Sequence, residues 1–384
     1  MDTFLAVIPA ADPLALPAPP WLLHTLLILT FFFHVVAMNF VLGGSLIAAV
    51  ERLRGAEGSR ELTAWMGKLM PTMVAAAVTF GVAPLLFLQT LYGRIFFPSS
   101  VQIAWFWFAV VPILICAYYG TYLIAFRKKT TTKTPAAIAV VVSLLFLAIA
   151  FVYSNNMSLM LRPDVVHAGH LADARGLTLN TSDPTFLPRF LHMLFGAVAV
   201  AGLVIAIYGL AIRGKEEATG IGLMRKGAAW FSVATVLAMV AGFWWMSRLP
   251  LPLMKRFMGG SVAGTVVLAL GVMTGLASLA FVLGVRRSDR PAWMLKTSIP
   301  LVVVTLVLML LARDQVREGM LEAAGFQITG FVEPQWGVIS LFVLLLLGGV
   351  AVAIWMGMLL RGTGSPEVER TAGRSEGRQP APQA

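Results

Sequence analysis

Nine apolar stretches, each about the 20 residues that a helix needs to cross a bilayer, occupy most of this chain and leave it few ways to fold. They run Trp21–Val50, Ala64–Gly93, Val101–Phe126, Pro135–Leu161, Leu187–Arg213, Met224–Leu249, Gly260–Gly284, Pro291–Ala312 and Gly337–Leu360. Across 384 residues, 58% are hydrophobic and 12% charged, whereas soluble domains average about 45–50% and about 25%. A soluble globular enzyme is thereby excluded. Backbone polar groups in hydrocarbon must be satisfied within their own segment, so the expected class is all-α: a polytopic membrane helical bundle of nine transmembrane helices. Residues 1–20, with Asp2, Asp12 and five prolines, form an N-terminal lead-in without the basic start of a signal peptide. Residues 21–361 make up the membrane domain. Residues 362–384 turn polar, rich in Gly, Pro, Ser and charge, and are expected to be a disordered cytoplasmic tail.

A net charge of +11 would suggest nucleic acid in a soluble protein, but in a membrane chain it is read as topology. The connections after spans one, three, five and seven, their edges and the tail carry 20 of the 29 Lys and Arg. Lys and Arg prefer the cytoplasmic side, which places the N-terminus outside and the C-terminus inside. Basic residues such as Arg127, Lys128, Lys129 and Lys133 then face lipid headgroups; no nucleic-acid partner is implied. The single cysteine, Cys116, excludes a disulfide scaffold and a cysteine-ligated cluster, and no CxxCH motif exists for covalent haem attachment. Two outer connections, Arg162–Phe186 and Arg313–Trp336, are longer than a turn requires, and no clear internal repeat is evident.

Chemistry is sparse inside the spans. None contains Asp or Glu, with Glu51 and Asp314 at edges and Glu333 outside, which argues against a carrier with a side-chain proton relay. Histidines are present: His24 and His34 on the first span and His192 on the fifth. Ionisable groups at membrane depth are costly and therefore functional candidates. A neutral imidazole is a good axial ligand for haem iron, and a hydrogen bond between helices is the bland alternative. At about 1.5 Å per residue, His34 lies about 20 Å along its span and His192 about 8 Å along its own, too different for one iron and suited to two haems. His167 and His170 fall in an outer connection, where a polar loop is the simpler account.

The order of these features resembles a known family. LTFFFHVVAMNFVLGGSLIAAVERLRG is followed by WMGKLMPTMVAAAVTFG, and YSNNMSLMLRP by FLPRFLHMLFGAVAVAGLVIAIYGL. These segments resemble subunit I of the cytochrome bd oxygen reductases, through roughly the first six helices. The resemblance implies that His34 matches the first-helix axial ligand at the site where O2 is reduced, and His192 the ligand of a low-spin b haem. It implies Met273, in ALGVMTGL, as the second ligand of that haem; His24, closer in depth to His192, is the competing partner. Two b haems follow, with a third haem or a haem d left open. A second membrane subunit, an outer-side electron donor (a c-type cytochrome or quinol) and residence in the bacterial cytoplasmic membrane follow as well. The chain differs from the family in having apolar residues where acidic ones stand on helices two and three, and only LPLPLMKRFMGG for the long quinol-oxidising loop.

Three functions stay open at this stage: a b-haem subunit reducing O2, a haem-bearing electron relay or membrane anchor without O2 chemistry, and a transporter or structural protein whose histidines only hydrogen-bond. With no carboxylate at membrane depth, any protons for O2 reduction are expected from the outer side, where His167, His170, Asp314, Glu318 and Glu322 lie.

Overall fold

A computed structural model describes residues 15–55, 59–126, 133–172, 175–328 and 331–362. Those residues form an all-α polytopic membrane bundle with helices α1 (Pro20–Arg54), α2 (Ser59–Gln102), α3 (Ala104–Phe126), α4 (Lys133–Leu159), α5 (Pro163–Ala172), α6 (Phe186–Ile212), α7 (Glu217–Arg248), α8 (Leu251–Lys255), α9 (Val262–Val285), α10 (Pro291–Ala323) and α11 (Trp336–Gly362). Among the described residues, eight helices (α1–α4, α6, α7, α9 and α10) are long and apolar enough to cross a membrane. The ninth expected span corresponds to α11, whose apolar stretch runs Trp336–Val352.

The chain divides into two units. The smaller contains residues 15–19 and 331–362 among those described. In it, Leu16 pairs with the chain after Phe331 (Leu16 N to Phe331 O 2.9 Å, Glu333 N to Leu16 O 3.0 Å), and α11 follows. Most of the lead-in and the tail beyond Gly362 lie outside the described residues.

In the larger unit the helices pair as hairpins, α1 with α2, α3 with α4, α6 with α7 and α9 with α10, and α1 packs along α6. With lipid outside, close backbone approach through small residues replaces hydrophobic burial as the adhesive. Gly43 of α1 lies against the Ala197 carbonyl of α6. On α6 and α7, a Cβ at Gly202 would stand 2.6 Å from Phe231 N, and one at Gly209 2.6 Å from Gly220 O. The end of α1 is fixed by a buried carboxylate. Glu51 accepts from Lys226 (2.8 Å) and Trp230 (3.1 Å) of α7 and from Ser59 (2.5 Å) of α2, tying three helices together.

Helices overrun the apolar stretches that announce them. The connection expected over Arg313–Trp336 is helical as far as Ala323, because Asp314 pairs with Arg317 one turn on and keeps the helix going past the apolar stretch. The link between α7 and α9 is a short helix and one π-turn, Arg256–Gly260. Gly259 takes φ 102° there, a conformation that a side chain disfavours. The loop expected over Arg162–Phe186 contains α5, which carries His167 and His170.

Candidate functional site

His34 and His192 are held in the same way on two separate helix pairs. His34 of α1 points its Nδ1 at the Ala77 carbonyl of α2, 2.9 Å away. His192 of α6 points its Nδ1 at the Ala238 carbonyl of α7, 2.7 Å away. Four residues beyond each carbonyl, on the same face one turn along, stands a glycine. A Cβ on Gly81 would lie 2.9 Å from the His34 ring, and one on Gly242 2.9 Å from the His192 ring. Helix geometry explains the pattern: the imidazole lies across one turn of its neighbour, taking the carbonyl at one end and filling the glycine gap at the other.

That contact decides the chemistry. A ring nitrogen facing a backbone carbonyl must carry the proton, so each neutral ring keeps its lone pair on Nε2. Among the described residues no hydrogen bond reaches either Nε2. A metal-ligating histidine is oriented in this manner, its other nitrogen fixed by an outer partner.

The surroundings repeat as well. Phe31 lies 6.0 Å from the His34 ring, with the Arg313 guanidinium 4.5 Å over its face. Trp245 lies 6.2 Å from the His192 ring, with Arg189 5.7 Å over its face. Arg189 donates to the Met157 carbonyl (3.4 Å), and among the described residues neither Arg189 nor Arg313 has a carboxylate partner. Cations in a membrane bundle call for an anion. Sequence reasoning passed over both arginines. The visible signal was FLPRFLH, with Arg189 one helical turn before His192, and the RDQVR run that begins at Arg313.

His24 is engaged elsewhere. Its Nε2 lies 2.9 Å from Asp314, 3.6 Å from Glu318 and 3.3 Å from Arg317, which also bonds Asp314 and lies 4.7 Å over Tyr92. The His24, Asp314 and Glu318 donors come within 4.8 Å of one another, and the Arg317 guanidinium supplies their counter-charge. Met273 of α9 is 63% exposed, and among the described residues no hydrogen bond or ring contact ties it to His192. His34 and His192 are thus each gathered into a built site, while His24 joins an ion cluster between α1 and α10.

Near His192, Trp245 also touches the underside of the α7–α9 link, where Leu253 and Phe257 are buried with Val316. Arg248 at the end of α7 and Lys255 of α8 are exposed, and Arg256 pairs with Glu322 at 3.2 Å.

No protein-family model matches this chain, and no curated protein does. Among solved structures, the bd oxidase from Geobacillus thermodenitrificans superposes with a TM-score of 0.72 at 12% identity, over 90% of this chain and 98% of that one. The chain has the fold of a bd oxidase subunit.

Proposed function

We propose that the protein is an integral membrane b-haem redox subunit that passes electrons from an outer-side donor to the His34 site, where O2 is reduced. One observation carries it: in a bd oxidase fold, two histidines present free Nε2 lone pairs, each fixed through Nδ1 on a neighbouring helix. Haem, when bound, supplies the one-electron iron couple. His34 and His192 would hold the irons. Arg313 and Arg189, which form no ion pair among the described residues, suit the carboxylates that haem carries. His24 is committed to Asp314, and Met273 stands as second ligand at His192 on the resemblance alone. Trp245, Leu253 and Phe257 keep water from the His192 side, and the Arg248–Arg256 link above them is where a donor, c-type cytochrome or quinol, comes nearest to that histidine. A second membrane subunit completes the complex, in the cytoplasmic membrane of a bacterium.

Electron relay without O2 chemistry is the second reading, favoured by the lack of acidic side chains in mid-span. A reduced-minus-oxidised visible spectrum of the purified protein tests haem binding; O2 consumption with a reduced c-type donor or a quinol separates oxidase from relay. A chain that purifies folded without a haem spectrum would leave transport or a structural role.

A further inference from the structure

The two histidine sites lie closer together than their places in the sequence suggest. α1 and α6 run in the same direction: Gly43 of α1 meets Ala197 of α6, and eight residues on, Glu51 bonds Lys226, whose neighbour Gly227 packs against Ala206 of α6. Counted back from the Gly43–Ala197 crossing, His34 lies nine residues away and His192 five. At about 1.5 Å per residue the two imidazoles differ in depth by only about 6 Å, with His34 nearer the N-terminal ends of the two helices. Counting from the start of each span does not reveal this, because α1 begins farther from the crossing than α6 does.

α10 packs against both of these helices and brings a cation to their meeting place. Arg313 of α10 stands over Phe31, the ring next to His34, and Arg189 of α6 over Trp245, the ring next to His192. Arg313 is near enough to Arg189 and Arg317 to feel their charges. Of the three, Arg317 is paired, with Asp314. Among the described residues Arg313 makes no hydrogen bond, and Arg189 makes one, to an uncharged carbonyl. Both side chains keep some accessible surface, so their N–H groups can be reached. Like charges side by side inside a bundle are costly. An aromatic face offsets part of that cost but gives the five N–H donors of each guanidinium no acceptor. A group with several anionic oxygens answers both needs, because it takes paired N–H bonds from a guanidinium fork.

We propose that Arg189 and Arg313 close on one anionic group, a carboxylate or a phosphate, and so form a charged bridge between the His34 and His192 sites. Under the haem assignment, which this part alone rests on, a haem carboxylate supplies the anion and both sites feel the same pair of arginines.

Thermal unfolding of the full-length His34→Ala/His192→Ala chain, haem-free under that assignment, tests the bridge without a cofactor. Inorganic phosphate or sodium propionate, at an ionic strength matched with chloride, should raise the midpoint. Arg189→Gln and Arg313→Gln should each abolish the rise, and both together should remove no more than either alone, because they empty one site. No rise, or a rise that survives either substitution, would overturn the bridge. Nanodiscs of phosphatidylglycerol and of phosphatidylcholine identify the source in the native chain. Equal midpoints in the two lipids are expected where a haem carboxylate fills the site; a phosphatidylglycerol gain that Arg189→Gln removes would assign it to a lipid phosphate and refute the haem part. Redox titration reads the bridge independently of stability. Arg189→Gln should lower the midpoint potentials of both spectral components, since losing a nearby cation favours the oxidised iron, and Arg189→Lys should restore them in part. A shift confined to one component would overturn the sharing while sparing the haem assignment; a native chain without haem would remove that assignment and leave the phosphate result to decide the bridge.

Discussion

At the scale of single residues, what matters is which nitrogen of each imidazole is free. A carbonyl 2.7–2.9 Å from Nδ1 fixes the tautomer, and Gly81 and Gly242 make that approach possible. Adding even a methyl at either glycine pushes the ring off its carbonyl. Gly81→Ala should perturb the spectral component that depends on His34 and leave that of His192; Gly242→Ala should do the reverse. Visible spectra of both variants, with size-exclusion profiles to confirm folding, check this, and equal effects of both glycines on one component would contradict separate sites. The histidines were legible in the sequence because charge is rare inside apolar runs. Their partners were not: Ala77 and Ala238 contribute carbonyls, which every residue has, so no residue type marks them. Arg189 and Arg313 sat at span edges, where a charged residue reads as an ordinary boundary.

At the scale of elements, helix ends do the fastening. Glu51 binds Lys226, Ser59 and Trp230 at once, so Glu51→Ala strips the acceptor from one buried donor, Ser59, and two half-buried ones, Lys226 and Trp230. A loss of about 1–3 kcal/mol is expected, seen as a lower midpoint in thermal unfolding with the visible spectrum unchanged; a shifted spectrum would tie Glu51 to the cofactor instead. At the opposite end, α5 is anchored through Arg162, which bonds Asp164 at 2.9 Å and Asp183 at 2.9 Å. Burial alone would raise the Asp164 carboxyl, but the hydrogen bonds and charge of Arg162 outweigh it and hold the group below the ordinary carboxylate value. A carboxyl lowered by folding stabilises fully above its unfolded value, and the contribution is lost as pH falls through the lowered one. The protection of α5 amides from hydrogen exchange, taken relative to the intrinsic rate at each pH, should therefore fall only under strongly acid conditions, and Asp164→Asn should show that lower protection already at neutral pH. Hydropathy announced the spans but not where helices stop, since it ends at the bilayer while i,i+3 pairs such as Asp314–Arg317 lie on the part of α10 beyond it.

At the scale of the whole molecule, the distribution of Lys and Arg sets the orientation expected of the bundle. The basic side of the chain includes the connection around residue 130, expected to be cytoplasmic. A cysteine introduced at Thr130 in a Cys116→Ser background should react with impermeant reagents from the cytoplasmic face alone; labelling from the periplasmic face alone would invert the topology. The helical class and membrane spans could be read from composition because lipid permits few alternatives. The pairing of α1 with α2 and of α6 with α7 around matching histidine sites could not, because close packing of small residues leaves only a scatter of glycines. That matched construction is the centre of the account, and haem stoichiometry tests it most directly. Pyridine haemochrome content per chain should fall by one haem in His34→Ala, by one in His192→Ala and by two in the double variant, each protein still inserted and monodisperse. Unchanged haem content in both single variants, or no haem in the native chain, would contradict it.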